Sequence, residues 1–184
     1  MRTKGHPSTR IDVLFEAEKI AARNEELAIE IAASETENLL VVPVLKGSFV
    51  FAADLLRALH HAGLAPEVDF FSLSSYGAGT KSSGEVKIMR DVETNVEGLN
   101  VLLIDDILES GRTLAFAKDL LMARKAKSVK TCVLLDKPSK RVVDLQADYV
   151  GFECPDLFVV GYGIDMAHSF RELPFVGVVH TDDD

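Results

Sequence analysis

Several features that define large classes of proteins are scarce in this 184-residue chain. Cysteine occurs only twice, too seldom for a disulfide framework, and the apolar surroundings of Cys132 and the proline after Cys154 predict two buried thiols. Lysine and arginine (20) are outnumbered by aspartate and glutamate (29), and the resulting net charge of −9 argues against general affinity for DNA or RNA. No apolar run approaches the roughly 18 residues of a membrane-spanning helix. A phosphate-binding site would therefore have to be local.

The beginning of the chain also lacks the apolar core of a secretory signal. Residues 1–10 include basic side chains, but Asp12, Glu16 and Glu18 interrupt the apolar residues that follow. We therefore expect a cytoplasmic protein that contacts no membrane. With 47% hydrophobic residues over 184 positions, the chain can bury one core but not two full-sized ones, so we expect a single domain over 1–184.

What the chain does contain is an alternation of strand and helix patterns. Continuous apolar runs predict strands covered on both faces, and segments with one apolar stripe predict helices. The alternation indicates an α/β protein with a largely parallel sheet and helices on both faces. Helices are predicted at 16–33, 48–61 and 113–125, and strands at 39–45, 68–73, 86–89, 99–104, 129–135, 149–152 and 158–161.

The most informative segment runs from 101 to 114 and joins an apolar strand to a helix. Two acids, Asp105 and Asp106, end the apolar run, and a third acid, Glu109, precedes the Ser-Gly-Arg-Thr turn at 110–113. Backbone N–H groups at a helix start attract phosphate, and carboxylates beside them suit the hydroxyls of a sugar phosphate. The plainer alternative is a buried strand and a helix capped by Ser110. That alternative gives the two adjacent carboxylates no role. Like charges so close together disfavour each other's ionisation, so such a pair carries a cost that the alternative does not explain.

Two further segments carry glycine. Lys46 and Gly47 form a turn between a predicted strand and a predicted helix, where backbone N–H groups and one ammonium suit a pyrophosphate. A plain turn with an exposed lysine is the alternative. Residues 76–85 hold three glycines and two serines, which favours either a mobile lid over an active site or a solvated hairpin connection.

The 101–114 pattern resembles the phosphoribosyl pyrophosphate (PRPP) loop of type I phosphoribosyltransferases. Lys137-Pro138 and the segments 155–165 and 170–174 extend the likeness to the hypoxanthine(-guanine) phosphoribosyltransferase family, from about residue 39 to 179. The resemblance implies the type I phosphoribosyltransferase fold, a mostly parallel twisted sheet with helices on both faces. It also implies a core of roughly 35–150, a small hood from 1–34 and 151–184, and a homodimer or homotetramer.

The same resemblance implies the reaction and its site residues. The reaction is purine salvage: the 5-phosphoribosyl group of PRPP moves to N9 of a 6-oxopurine and pyrophosphate leaves, with Mg²⁺ as cofactor. Hypoxanthine is the first expectation for the base, and guanine and xanthine stay open. An unusual cis peptide between Leu45 and Lys46 is also implied. The implied residues are, for catalysis, Glu109; for PRPP and its 5-phosphate, Asp105, Asp106, Ser110, Gly111, Arg112 and Thr113; for pyrophosphate, Lys46, Gly47 and Arg171; for the purine, Lys137, Phe158 and Val159; for the flexible loop, Ser75 and Tyr76; and for the metal, Asp105, Asp106 and Asp165.

One position departs from the family pattern. The third acid of the loop, generally Asp and assigned to proton exchange with purine N7, is Glu109 here. Its carboxylate sits one methylene further from the backbone, and we expect it to remain the general base because no other titratable residue occupies that place in the motif. The ammonium of Lys137 can only donate hydrogen bonds, so it favours a 6-oxo group and disfavours the 6-amino group of adenine.

Two other interpretations compete with an enzyme. A PRPP-sensing regulator that binds nucleic acid would need a basic face or an extra domain, for which the acidic composition and the length leave little room. A phosphoacceptor signalling domain would need more than the about thirty residues that separate the acid pair from Lys137. A nucleotide-binding lysine motif is absent, and the five histidines lack the spacing of zinc ligands.

Overall fold

A computed structural model describes residues 10–34, 37–75 and 86–180, and within them the chain forms two β-sheets. The larger sheet has the strand order β5-β4-β2-β6-β7-β8, and the short β3 also pairs with β2. Apolar runs lie within three of its central strands, at 39–45 in β2, 101–104 in β6 and 132–135 in β7. The strands of this sheet are β2 (Leu39–Leu45), β3 (Glu67–Val68), β4 (Phe71–Ser75), β5 (Val86–Arg90), β6 (Asn100–Leu108), β7 (Ser128–Asp136) and β8 (Tyr149–Glu153).

Pairing in the large sheet is parallel except at one edge. β2 pairs with β3, β4 and β6, β6 with β7, and β7 with β8, all in parallel, whereas β4 and β5 are antiparallel. Parallel strands bring their carboxyl ends to one edge of the sheet. The segments after β2, β6 and β7, which carry most of the predicted site residues, therefore meet at that edge.

Helices cover both faces of the large sheet. α1 (Ala17–Ala32) and α2 (Phe49–His61) pack on one face, and α3 (Arg112–Ala123) packs on the other. Successive residues of β6 alternate between the two cores: Leu102 and Ile104 face α1 and α2, while Val101 and Leu103 face α3. The predicted α/β class, the mostly parallel sheet and the helices on both faces are confirmed. None of these helices is both long enough and apolar enough to span a bilayer.

The smaller sheet is antiparallel and joins the two ends of the described chain. Its order is β1-β10-β9, with β1 (Arg10–Phe15), β10 (Val176–His180) and β9 (Val159–Val160). We call it the terminal sheet. The division into a core of 35–150 and a hood from 1–34 and 151–184 stays a prediction; α1 packs against the large sheet rather than within the terminal sheet.

The structure corrects several predicted boundaries. The strand predicted at 68–73 is two strands, because the carboxylate of Asp69 accepts hydrogen bonds from the backbone N–H groups of Phe70, Glu93 and Thr94 and turns the chain there. β6 continues through the acid pair to Leu108, four residues beyond the predicted end at 104, because its pairing with β7 continues to Asp136.

Other corrections concern the ends of the chain. The predicted strand 158–161 contains only Val159 and Val160, and β1 and β10 were not predicted at all. Of the apolar residues in the predicted helix 16–33, Ile29 is 65% exposed, and the polar Asn24 lies in the buried stripe of α1. Both cysteines are free and buried, as predicted.

Candidate active site

A cavity of about 280 Å³ opens at the carboxyl edge of the large sheet. The ends of β2 and β6 and the start of α3 form its walls. Its lining includes most of the residues that the sequence assigned to PRPP and pyrophosphate. Those residues are Lys46, Gly47, Asp105, Asp106, Ser110, Gly111 and Thr113, and the predicted catalytic residue Glu109 lines the cavity as well.

Asp105 and Asp106 lie within β6 and line this cavity together. Burial raises the pKa of Asp105 well above its usual value, and the charge of Asp106 adds to that rise. Burial also raises the pKa of Asp106, while the positive charge of Arg171 acts on it in the opposite direction. Asp105 is buried and Asp106 is partly buried, so a cation or a polyhydroxyl ligand that binds beside them would offset the cost of removing their charges from water.

The turn 110–113 presents backbone N–H groups to the same cavity. Gly111 is the N-cap of α3, has φ +82°, and has no side chain to cap the helix, so the first-turn amides are available for a ligand. The amide of Arg112 has only a long 3.4 Å contact with Ser110 Oγ. A Cβ at Gly111 would lie 2.7 Å from Val143 Cγ2 and 3.0 Å from Arg141 Cδ. Glycine is therefore required both for the backbone angle and for the close packing behind the turn.

The second glycine turn meets the acid pair directly. The Leu45–Lys46 peptide bond is cis, as the resemblance implied. A Cβ at Gly47 would lie 1.8 Å from Asp106 Oδ2, so only glycine lets this backbone approach the carboxylate. The buried Ser48 donates to the carbonyl of Val44 and fixes the turn to the end of β2.

Lys137 follows β7 and lies beside the cavity. Its side chain is 6% exposed, and Nζ donates to the carbonyl of Leu157 over 2.8 Å. The Glu109 carboxylate, half exposed, lies 3.7 Å from the same nitrogen. One ammonium thus lies between the loop after β6 and the segment before β9.

A second charged pair comes from the segment between β9 and β10. Arg171 Nη2 lies 2.8 Å from Asp165 Oδ1, and Arg171 Nη1 donates to the carbonyl of Gly163 over 2.6 Å. The other oxygen of Asp165 accepts from the backbone N–H of His168 over 2.8 Å. A Cβ added at Gly163 would collide with the carbonyl oxygen of Gly47, so this segment packs against the turn that lines the cavity.

Residues 11–167 match the family described as the phosphoribosyl transferase domain. The chain belongs to the phosphoribosyl transferase domain family. It is 48% identical over 168 residues to a hypoxanthine-guanine phosphoribosyltransferase of Bacillus subtilis, covering 91% of this chain and 92% of that protein.

Solved structures of phosphoribosyl transferases show the same fold. A crystal structure of a hypoxanthine-guanine phosphoribosyltransferase from Bacillus anthracis is 48% identical, has a TM-score of 0.86, and covers 93% of this chain and all of that one. A hypoxanthine phosphoribosyltransferase from Staphylococcus aureus is 40% identical with a TM-score of 0.86, covering 92% and 91% of the two chains. The type I phosphoribosyltransferase fold implied by the sequence is confirmed.

Within the phosphoribosyl transferase domain, a few predicted residues lie apart from the cavity lining. Phe158 is 57% exposed just before β9, and Val159 is buried within the terminal sheet. The side chain of Arg112 is exposed on α3. Ser75 ends β4, and Tyr76, with the rest of the predicted lid at 76–85, lies outside the described residues. Their predicted roles stay predictions.

The sequence analysis missed two groups that surround the predicted residues. The carbonyl of Leu157 holds Lys137, and the guanidinium of Arg141 donates to the carbonyl of Glu109 over 3.0 Å. A backbone carbonyl has no signature in a sequence. Arg141 belongs to the short basic run 137–141, which was read only for its lysine and proline.

The donor set suits Mg²⁺ better than a softer metal. The cavity holds carboxylate oxygens of Asp105 and Asp106, and Mg²⁺ is typically held by one or two carboxylates together with water and substrate oxygens. In the described ranges, no group of three or more His, Cys, Asp or Glu side chains is arranged to hold a metal by itself. The residues therefore fit a metal that a phosphate ligand helps to bind.

Proposed function

We propose that this chain transfers the 5-phosphoribosyl group of PRPP to N9 of a 6-oxopurine and releases pyrophosphate, so that it works in purine salvage. The observation that carries the proposal is the meeting of three features in one cavity: the open amides of 110–113, the buried acid pair, and the Lys46-Gly47 turn. Together they match the parts of PRPP, which are a 5-phosphate, two ribose hydroxyls and a pyrophosphate.

The 5-phosphate would bind at the start of α3. Ser110, Gly111 and Thr113 line the cavity, and the first turn of α3 contains no acidic side chain that would repel a phosphate. A phosphate there gains hydrogen bonds and the favourable end of the helix dipole. The chain as a whole is acidic, so this local cradle replaces a basic surface.

Lys137 would recognise the 6-oxo group of the purine. The Leu157 carbonyl and Glu109 engage at most two of the three N–H groups of its ammonium. The remaining donor pairs with an oxygen and would face the amino group of adenine as donor against donor. A substrate that leaves this buried donor unpaired is rejected by several orders of magnitude. Hypoxanthine is therefore the expected first base, and adenine should be a very poor substrate. Phe158 would stack on the purine ring, and the backbone of Val159 would meet its edge.

Glu109 would exchange a proton with purine N7 while the new glycosidic bond forms at N9. Its carboxylate lines the cavity and is half exposed, so it can both reach a ligand and exchange protons with water. Because Glu109 lies 3.7 Å from Lys137 Nζ, both side chains would contact the same purine.

Departure of pyrophosphate leaves positive charge on the anomeric carbon of the ribose. The carboxylates of Asp105 and Asp106 would stabilise that charge and orient the ribose hydroxyls. Arg171, Lys46 and the amide of Gly47 would bind the leaving pyrophosphate. Asp105 and Asp106 would hold one Mg²⁺ and Asp165 would hold a second, and these ions would neutralise the charge of the pyrophosphate when bound.

Initial rates with hypoxanthine, guanine, xanthine and adenine, each with PRPP and Mg²⁺, test this proposal. We expect turnover with at least hypoxanthine and a kcat/KM for adenine lower by several orders of magnitude. Lys137→Met should lower kcat/KM for hypoxanthine by roughly 100-fold and should not lower it for adenine, so the preference for hypoxanthine over adenine should narrow by at least that factor. Lys140→Met removes an exposed lysine that pairs with Asp156, and it should retain full activity.

Release of no pyrophosphate with any of the four bases would contradict the proposed reaction. Equal rates with adenine and hypoxanthine would contradict the role of Lys137. The cytoplasmic location and the homodimer or homotetramer expected from the sequence stay predictions.

A further inference from the structure

Arg141 lies behind the cavity and reaches the ends of two neighbouring strands. It follows the short 3-10 helix Pro138–Lys140, and its side chain is only 15% exposed. Nε donates to the carbonyl of Glu109 over 3.0 Å, and Nη2 donates to the carbonyl of Leu108 over 3.3 Å. Nη2 also pairs with the carboxylate of Asp136 at the end of β7. One guanidinium therefore bridges the end of β6 and the end of β7.

Further contacts hold the side chain of Arg141 in place and connect this segment to the turn 110–113. Nη1 donates to the carbonyl of Leu145, so all three nitrogens of the guanidinium are engaged. The next residue, Val142, donates its backbone N–H to the carbonyl of Ser110 over 3.0 Å. The stem of Arg141 packs against Gly111, where an added Cβ would lie 3.0 Å from Cδ. The rear of the 110–113 turn is thus built from Arg141 and its neighbour.

The planar fork of arginine explains why this residue type fits. It presents five N–H donors in fixed directions and stays charged, so it can serve carbonyls on two strands and a carboxylate at once. A lysine could reach one of these acceptors or another, but its single ammonium cannot span them all. Losing the fork would leave strand-end carbonyls and a partly buried carboxylate without their donor.

We propose that Arg141 is a positioning residue that holds the 5-phosphate turn in a fixed place relative to the purine-recognising Lys137. This inference rests on the proposed function. Asp136 precedes Lys137, and the Glu109 carbonyl precedes Ser110, so the bridge ties together the two places where opposite ends of a nucleotide would bind. A displacement of about 1 Å in such an arrangement can cost up to about 100-fold in rate.

The binding of two ligands of different size distinguishes a positioning role of Arg141 from a general effect on the stability of the fold. A purine nucleotide such as IMP would contact both the turn and Lys137, whereas pyrophosphate would contact only the Lys46-Gly47 turn and Arg171. Loss of Arg141 should therefore weaken IMP and leave pyrophosphate nearly unchanged. General destabilisation of the fold offers no reason for that difference.

Arg23 provides a matched control. It is 21% exposed, donates to the carbonyls of Val150 and Gly151 over 2.8 and 3.1 Å, and pairs with Glu26 and Glu30. It performs the same chemistry as Arg141, a guanidinium serving strand carbonyls and carboxylates, but between α1 and β8 rather than behind the cavity. Arg23→Met therefore reports the effect of losing such a bridge on stability alone.

The experiment compares wild type, Arg141→Met, Arg141→Lys and Arg23→Met in melting temperature, Kd for IMP, Kd for pyrophosphate, and KM for PRPP. Both methionine variants should melt at lower temperature. Only Arg141→Met should raise the Kd for IMP and the KM for PRPP, by about 10- to 100-fold, with pyrophosphate affinity within twofold of wild type. Arg141→Lys should recover a part of the loss.

An Arg141→Met protein whose IMP and PRPP constants equal those of Arg23→Met would overturn the inference. If Arg141→Met does not fold, Arg141→Lys against Arg23→Lys decides the matter in the same way, because equal constants in that pair would also overturn it. A wild type that transfers no phosphoribosyl group would defeat the proposed function itself. A wild type with activity and an Arg141 variant without the split would defeat only this inference.

Discussion

Glu109 is the single side chain at which the site departs from the loop pattern of its family. Its carboxylate lines the cavity and lies 3.7 Å from Lys137 Nζ, so its longer side chain still faces the place expected for the purine. This position is compatible with the proposed role of Glu109 as the proton acceptor.

Replacement of Glu109 tests that task. Glu109→Gln keeps the shape and removes the proton acceptor, so kcat should fall by roughly 100-fold or more, the usual contribution of a general base. Glu109→Asp keeps the carboxylate and shortens the side chain to the length usual in the family, so it should retain most of kcat. Steady-state rates of pyrophosphate release at saturating PRPP and hypoxanthine measure both.

The purine KM in the same variants separates two effects. Loss of the charge near Lys137 can alter binding of the base without altering the chemical step. A Glu109→Gln enzyme with the wild-type kcat would show that Glu109 is not the base, whatever its KM.

At the scale of single elements, the turn before α3 depends on its glycine. Gly111→Ala introduces strain at φ +82° and a contact of 2.7 Å with Val143. Left-handed backbone costs an alanine about 1–2 kcal/mol, and overpacking adds about 1–3 kcal/mol. We expect lower stability in urea, followed by circular dichroism, and a KM for PRPP raised about tenfold or more because the phosphate amides move.

Gly98→Ala is a control that introduces the backbone strain of Gly111→Ala without its steric contact. Gly98 has φ +78°, but no atom lies within 4 Å of an added Cβ. Gly98→Ala should lose only the about 1–2 kcal/mol of the backbone term and keep the wild-type KM for PRPP. Equal losses and equal KM values in the two variants would contradict the packing account of the turn.

A second element-scale contact ties the segment after β5 to the end of α3. Arg124 donates to both oxygens of Asp91 over 2.8 and 2.6 Å, and this pairing lowers the pKa of Asp91 below its usual 3.8. A lowered carboxyl pKa stabilises the fold above the unfolded-state pKa, and the stabilisation disappears as the pH falls through the folded-state value. Asp91→Asn should therefore melt at lower temperature than wild type at pH 7, and the difference should shrink below about pH 4.

Asp119→Asn is the control for that measurement. Asp119 lies on the exposed side of α3, and its loss should leave the melting temperature nearly unchanged at both pH values. A wild-type and Asp91→Asn difference that stays constant from pH 7 to pH 3 would mean that the ion pair does not stabilise the helix end.

Sequence patterns predicted elements well where the burial pattern is simple. β2 was predicted at its observed bounds, since a strand covered on both faces reads as one apolar run. β1 was missed because Arg10 and Asp12 interrupt its apolar residues, and β10 because its partners lie far away in the chain. The acid pair was recognised, but its place inside β6 depends on pairing with β7, which no local pattern records.

At the scale of the whole molecule, Tyr162 joins three distant parts of the chain. Its buried hydroxyl donates to Asp54 of α2 over 2.7 Å and accepts from Asn24 of α1 over 2.9 Å. Burial raises the pKa of this phenol well above its usual value, so it stays neutral and keeps its proton for Asp54. The segment that carries Asp165 and Arg171 is thereby tied to the helices beneath it.

Tyr162→Phe should lower the free energy of unfolding by roughly 1–3 kcal/mol, because it removes two buried hydrogen bonds and leaves Asn24 without its acceptor. The chain has no tryptophan, so circular dichroism in urea is the suitable measurement. Tyr149→Phe removes a hydroxyl that donates to Ser34 over 3.0 Å at a less buried place, and it should cost less. A larger loss in Tyr149→Phe than in Tyr162→Phe would contradict this account.

The sequence alone was sufficient for the class of fold and for the residues of the cavity, because these follow local patterns at the ends of strands. It could not predict the contacts that join distant segments, such as Lys137 to the Leu157 carbonyl or Tyr162 to Asp54. Those contacts arise only when the terminal sheet and the segment before it pack against the large sheet. The roles of side chains near the terminal sheet, among them Phe158, therefore cannot be derived from local sequence patterns.

The central claim is that the amides at the start of α3 bind the 5-phosphate of a ribosyl ligand beside the acid pair. A crystal structure of the protein with IMP measures this most directly. The phosphate of IMP should lie within hydrogen-bond distance of the backbone N–H groups of 112–113, with the purine oxygen at Lys137. A well-ordered nucleotide bound elsewhere, with the 110–113 turn empty, would contradict it.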